Sequence, residues 1–428
     1  MLHQTAHFGL ALQSAKGTAA TTNFIRGRVL SHALNPRYDE IDTSNEHTGV
    51  HDRSTAVQST PIRSGSIIDV TFRHRLYPSM IGNALLGYGF TVSTSTHNTL
   101  TIDATGGTFT LTVSGQTTAT IAFDAAASAV ESALELLSTV TVATVTGSAG
   151  GPYTIAIDSS TTAATFTADA GSLTGGASTA TFDGWYYTHA FTLPSADSEG
   201  WLTAYDYLGE TGGFDRIATD VRLSQLTFTA DNSGIIVAGT GLGIALADSS
   251  GSETFTAEID AALSQANGAF TLTSSDITAA TLGTPRSHTL TLDNPLDDSE
   301  QELHTMNRAT FSPTGKKVTG TLSGLVFSEN IFKEMYWGSS SGTAAVVTIP
   351  ESTDLTWNWQ SAGNISSSAA VPYKMTYDIP IVQFAMQPFD VTASGNILYD
   401  CQYTMLDAIS TAPITITLQN DTASYAGS

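Results

Sequence analysis

The chain has one cysteine, no apolar run near the roughly 20 residues a membrane-spanning helix needs, and no lysine or arginine between Arg75 and Arg216. Each absence removes a class of function. A lone Cys401 forbids an intrachain disulfide and a cysteine-based metal site, and its expected place is a buried position on a strand. The opening residues, Met1-Leu2-His3-Gln4, supply neither a charged n-region nor an apolar h-region. Folding in a cytoplasm without Sec export is therefore expected, with no membrane as partner. Charged residues are only 13% of the chain, and Thr, Ser, Ala and Gly take their place. That composition suits strands and close packing better than an enzyme's helical shell.

What charge there is sits unevenly. Residues 1 to 75 hold eight of the sixteen basic residues against six acids, whereas the net charge of the whole chain is -23. Such an acidic total repels phosphate, so no grip on DNA or an anionic membrane is expected.

Motifs that carry chemistry are missing. No Walker loop or His-Glu-x-x-His occurs. His47 and His51, followed by Asp52, are four apart as a helical metal pair would be, but Gly49 and polar neighbours argue against a helix there. Gly239-Thr-Gly-Leu-Gly243 lacks the helix and acid of a phosphate-binding turn and reads as a β-turn or bulge. Asp297-Asp298 reads as a solvated turn, and Trp337, Trp357 and Trp359 as core or interface aromatics rather than a sugar-binding face. The expectation is no enzyme, with no catalytic, cofactor-binding or metal-binding residue.

What is present is an echo. Gly65-Ser-Ile-Ile-Asp-Val-Thr-Phe72 followed by Leu76 to Gly87 has a counterpart in Gly315-Lys-Lys-Val-Thr-Gly-Thr-Leu322 followed by Leu325 to Gly338. Each is an alternating strand running into a short amphipathic helix that ends on Gly. Upstream, Asn35-Pro36 and Asn294-Pro295 each close a strand; downstream, Val221 to Phe228 aligns with Ile379 to Met386, Gln225 facing Gln383.

Between the copies' shared elements, residues 95 to 183 read as a graft. Thr108 to Val113 and Thr118 to Phe123 alternate as a hairpin around Ser114-Gly115, Asp124 caps a helix to about Ser138, and Tyr153 to Ile157 is a further strand. The second copy has only about ten residues, Ser339 to Ala345, at that place. The expected fold class is mainly β: two tandem β-sandwich or barrel domains, each with a flanking short helix, and a small inserted α+β domain. The expected boundaries are 1–94 with 184–250, 95–183, and 251–428. Residues 8 to 23 read as an extended lead-in that needs a neighbour to order it.

The small-residue start Gln13-Ser-Ala-Lys-Gly-Thr-Ala-Ala20, the helix ending Leu85-Leu-Gly87 and strands such as Val221 to Thr229 together resemble the major tail tube protein of long-tailed bacteriophages. The segments Gly107 to Thr118 and Ser128 to Leu137 resemble a small accessory domain of phage structural proteins. The resemblance implies a virion tail protein whose copies form rings, usually of six domains, stacked into a hollow tube through which double-stranded DNA passes without specific binding. It implies a tape measure protein and a tail terminator as partners, and assembly in the host cytoplasm. With two domains per chain, three chains would complete a ring. The segments 36–64 and 295–314 would be arms ordered on neighbouring subunits, and Arg37, Arg53 and Arg63 would pair with acids across those contacts. An acidic bore would let DNA slide. The alternatives are another phage structural protein, or a surface adhesin of tandem sandwiches.

Overall fold

The computed structural model describes residues 7–41, 62–159, 164–194, 200–207, 215–249, 251, 253–272, 282–300, 308–326, 328–339, 341–344, 351–352, 354–368, 371–386, 397–406 and 412–425. The fold is mainly β. It opens with β1 (His7–Leu12) and β2 (Phe24–Gly27), then the hairpin of β3 (Val29–Ile41) and β4 (Ile62–Arg75), helix α1 (Pro78–Tyr88) and β5 (Thr91–Asp103). Next come β6 (Gly106–Val113), β7 (Gln116–Thr117), β8 (Ile121–Ala122), α2 (Ala127–Glu135), β9 (Val142–Gly147), β10 (Tyr153–Ser159) and β11 (Phe166–Thr174), before β12 (Thr179–Thr192) returns beside β5. β13 (Leu202–Tyr207), β14 (Arg216–Asp231), β15 (Gly234–Gly243), β16 (Ala245–Asp248), β17 (Phe255–Ala257) and β18 (Ser264–Leu272) follow. The second half runs β19 (Ser287–Asp293), β20 (Leu296–Asp297), β21 (Ser312–Pro313), β22 (Lys317–Val326), α3 (Glu329–Trp337), β23 (Glu351–Ser352), β24 (Leu355–Asn364), β25 (Pro372–Ile379), β26 (Val382–Met386), β27 (Leu398–Met405) and β28 (Thr415–Asn420).

Two large sheets face each other. The first, of 14 strands, contains the side-by-side run β3-β4-β15-β14-β19-β22-β27-β26, with β17-β2-β1-β13 joined to β14. The second runs β18-β24-β25-β28-β12-β5-β10-β9. Alternation explains the layering: period-two strands such as Ser287-His-Thr-Leu-Thr-Leu-Asp293 bury every second side chain between the sheets and leave the others outside. Across that core His288 of the first sheet stacks on Trp357 of the second, with ring centroids 4.3 Å apart. Trp357 and Trp359 are core residues here. Gly239 lies under the Phe72 ring, which a Cβ would meet at 2.1 Å, so only glycine permits that close approach. The Gly239–Gly243 run is part of strand β15 rather than a turn.

One core includes Phe8 and Val70 of the first half and Tyr403 and Ile416 of the second, and the pairings β14–β19 and β12–β28 also cross position 250. The graft has its own core, with Phe109, Leu111, Val130, Leu134 and Ile155 buried within it. Its turn at Ser114-Gly115 has positive φ at both residues, as a tight two-residue hairpin requires.

Several local expectations differ from the structure. β5 and β12 run through the expected graft boundaries, so the extra residues extend the far end of a hairpin rather than the link after α1. Helix α2 starts after Ala126, without a side-chain cap from Asp124. Pro36 stands inside β3, which tolerates it because β3 pairs with β4 alone among the described residues and lies at a sheet edge. The lead-in finds its neighbours within the chain, β1 lying between β2 and β13.

Helix α1 is buried along its whole length. Its sequence, Pro-Ser-Met-Ile-Gly-Asn-Ala-Leu-Leu-Gly-Tyr, has no charge to keep in water, and Pro78 suits its first turn. It extends one residue past Gly87 and stops at the left-handed Gly89. Its N-terminus is capped from far away: the Ser79 amide donates to Asp260 Oδ2 at 2.9 Å. No helix among the described residues is long and apolar enough to cross a membrane.

Candidate functional site

The feature the fold builds at largest scale is the outer face of the run β3 to β26. Cross-strand registers place Ser31, Arg73, Ala238, Thr227, Thr291, Thr319, Thr404 and Gln383 in one row across eight strands. A second row carries Arg75, Ile236, Thr229, Thr289, Thr321 and Gln402, and a third Thr71, Thr240, Gln225, Asp293 and Lys317. Threonine dominates these rows because a β-branched residue suits a strand while its hydroxyl remains hydrated on the open side. The charges in the three rows are Arg73, Arg75, Asp293 and Lys317, so these rows hold little of the chain's acidity. A wall of small neutral hydroxyls offers phosphate neither strong attraction nor strong repulsion.

The same order of strands occurs twice along this face. β3-β4-β15-β14 is followed by β19-β22-β27-β26, and β14 pairs antiparallel with β19 where they meet. Registers agree residue by residue: Leu34 is opposite Val70 and Phe72 opposite Gly239, while Leu290 is opposite Gly320 and Leu322 opposite Cys401. In this register His32 corresponds to His288, and Ala385, not Gln383, takes the place of Gln225. The Asn-Pro and Gln matches read from sequence are therefore out of register, since Asn35 corresponds to Thr291 and Gln225 to Ala385. At the outer ends β3 pairs only with β4, and β26 is covered by β23 only at Val382 and Gln383 among the described residues.

Of the three arginines singled out from sequence, Arg37 is half-exposed and pairs within its own chain with Asp69 and Asp298, each at 3.5 Å. Arg53 lies outside the described residues, as do His47, His51 and Asp52. Arg63 belongs to β4, and its side chain is outside the described set. The described parts of the two arms meet each other: Arg308 pairs with Asp39, and Leu296 packs against the cluster of Ile67, Trp201, Ile244 and Phe311. Sequence reasoning missed the threonine rows. Alternation such as Val-Thr-Gly-Thr was visible, but which threonines line up depends on register.

Buried titratable groups lie elsewhere, and their shifts oppose one another. Desolvation holds His74 and His189 down to about 4 and His288 to about 3. Burial, followed by the neighbouring Asp260, pushes Glu258 up to about 8, and burial pushes Asp260 up to about 6. Asp378, desolvated and sharing a hydrogen bond with Asp354, also rises to about 6, but it is partly exposed and its effect is screened. A raised carboxyl binds a proton in the folded chain that the unfolded chain releases, so its stabilisation is present at low pH and is lost as pH rises through the folded value. A lowered histidine does the opposite, since the unfolded chain takes up protons below about 6.5 that the fold refuses. Between pH 8 and 6.5 the raised Glu258 takes up its proton in the folded chain, and stability should rise by about 2 kcal/mol as pH falls, at ~1.4 kcal/mol per pH unit. Below pH 6 the histidines outweigh the carboxyls and stability should decline. Urea titrations at pH 8, 6.5 and 5 check this, and Glu258→Gln should erase the rise.

Among the described residues no group of three or more His, Cys, Asp or Glu could hold a metal ion. The Cys401 thiol is buried and pushed up to about 12, which leaves it unreactive. No family model matches the chain, and no curated protein matches it.

Proposed function

We propose that the chain is a structural virion protein whose copies close into rings and stack as the tube of a phage tail, three chains to a ring. The observation that carries this reading is the in-chain joint of β14 with β19, the last strand of one four-stranded set meeting the first strand of the next. Repeating that joint between molecules would pair β26 of one chain with β3 of the next and remove the two outer edges of this run. Two sets per chain, the product of an ancestral duplication, then give six sets from three chains.

The threonine rows would line the bore. Their scarcity of charge supports passage of DNA, since Arg73, Arg75 and Lys317 do not make a continuous basic track that would trap phosphates through counterion release. The grafted domain, with its separate core at the far end of the β5–β12 hairpin, would project outward. A tape measure protein inside the tube and a tail terminator at its end are the partners this reading requires.

Negative-stain microscopy and native mass spectrometry of the purified protein test the proposal. Stacked rings of three chains are expected. Rings of six whole chains would overturn the threefold count, and elongated monomers would favour the surface-adhesin reading instead.

A further inference from the structure

Where β2, the start of α1, the segment joining the two halves and the last described residues come together, the fold encloses a cavity of about 330 Å³. Glu258, Asp260 and Asp421 line it, and no lysine, arginine or histidine does. Two of these carboxylates have donors. Asp260 accepts from the Ser79 amide and hydroxyl, and Asp421 accepts from the hydroxyls of Ser366 at 2.9 Å and Tyr373 at 3.3 Å.

Glu258 differs. It is 6% exposed, its Oε1 accepts from the Asp260 amide at 2.7 Å, and its Oε2 has no hydrogen-bond partner among the described residues. Arg28 does not supply one: its guanidinium donates to the backbone carbonyls of Glu258 and Asp260 and lies over the Tyr77 ring. In either protonation state Oε2 is left short, as an anion without a donor or as an acid whose O–H lacks an acceptor. Leaving such a buried group unmade costs about 1–3 kcal/mol, and more when it is charged. A cation entering the cavity would supply the donor and the counter-charge together.

The geometry also narrows the cation. Because the carboxylates do not form a metal-holding group, separate N–H donors spread over separate acceptors fit better than a single ion. Ile259 beside the carboxylates is 68% exposed and offers an apolar ledge for an alkyl stem. We propose that this cavity is a binding site for an organic cation, a primary ammonium or guanidinium group held by Glu258 and flanked by Asp260 and Asp421. The group belongs either to a free amine or to a Lys or Arg side chain of a second copy. This inference stands apart from the tube reading.

Calorimetric titration of the full chain with 1,4-diaminobutane, methylguanidine and, for comparison, calcium chloride tests it. Saturable binding of an amine is expected, with proton release from Glu258 seen as a buffer-dependent heat and an affinity that falls up to about tenfold per pH unit between pH 7.5 and 6. Glu258→Gln, which keeps the shape of the side chain, should abolish binding, whereas Asp169→Asn on the graft should not. If a second copy fills the site, the parent chain takes up amine only as its oligomer dissociates, and Glu258→Gln lowers the oligomer's mass in native mass spectrometry. The proposal fails if neither amine binds and Glu258→Gln leaves the oligomer unchanged, if calcium binds more tightly than both amines, or if Glu258→Gln binds amines like the parent.

Discussion

Leu30→Lys should leave the isolated chain as stable as the parent and abolish its assembly. Leu30 is the extra residue of a bulge: Val29 faces His74 and Ser31 faces Arg73, so Leu30 has no partner on β4. It is 53% exposed on a strand whose other side pairs with no strand among the described residues. An apolar side chain at such an edge invites a second chain, and lysine is the residue that natural sheets use to prevent edge pairing. The substitution touches no core contact, so the change in unfolding free energy should stay within ~0.5 kcal/mol. Rings or tubes should vanish from micrographs while the melting curve stays put. Leu136→Lys, at an 83% exposed position on the graft, should alter neither. Undiminished assembly by Leu30→Lys would show that β3 is not the joint.

Phe228→Ala should cost about 3–5 kcal/mol, the usual penalty for removing a fully buried aromatic ring. Phe228 is 0% exposed on β14, opposite Val237 of β15 on one side and Leu290 of β19 on the other, so it packs at the seam between the two strand sets. Because a single core spans both halves, the loss should move the unfolding of the whole body together. Urea titration followed by tryptophan fluorescence provides the check, since Trp357 and Trp359 report from the second half while the substitution lies in the first. A second half that unfolds at its original midpoint would mean that the halves have separate cores.

Much of the local structure was legible in the residues themselves. The alternation of Gly315 to Leu322 marked β22, the run from Leu76 to Gly87 marked a helix, though one buried on every side rather than amphipathic, and Ser114-Gly115 marked a tight turn. Each of these follows from interactions within a few residues: side chains that alternate across a strand, a helix with no charge to hydrate, a turn that needs positive φ. The resemblance between Gly65–Phe72 and Gly315–Leu322 was legible for the same reason, and the paired registers keep that alignment.

Boundaries and partners were less accessible. Residue 95 reads as the beginning of a graft, yet Thr91–Asp103 is one continuous strand because β12 pairs along nearly all of it. Asp260 gives no local hint of a helix cap, since the amide it accepts from lies on α1, far back along the chain. The sequence by itself determined that strands would dominate, that a helix would follow each repeated strand, and that residues near 95 to 183 would form a core of their own. Only the tertiary structure decided that the two halves share one core, that the threonines align in rows, and that Glu258 is left with an unpaired oxygen. Periodicity is written in neighbouring residues, whereas register and desolvation are set by segments that come together only when the chain folds.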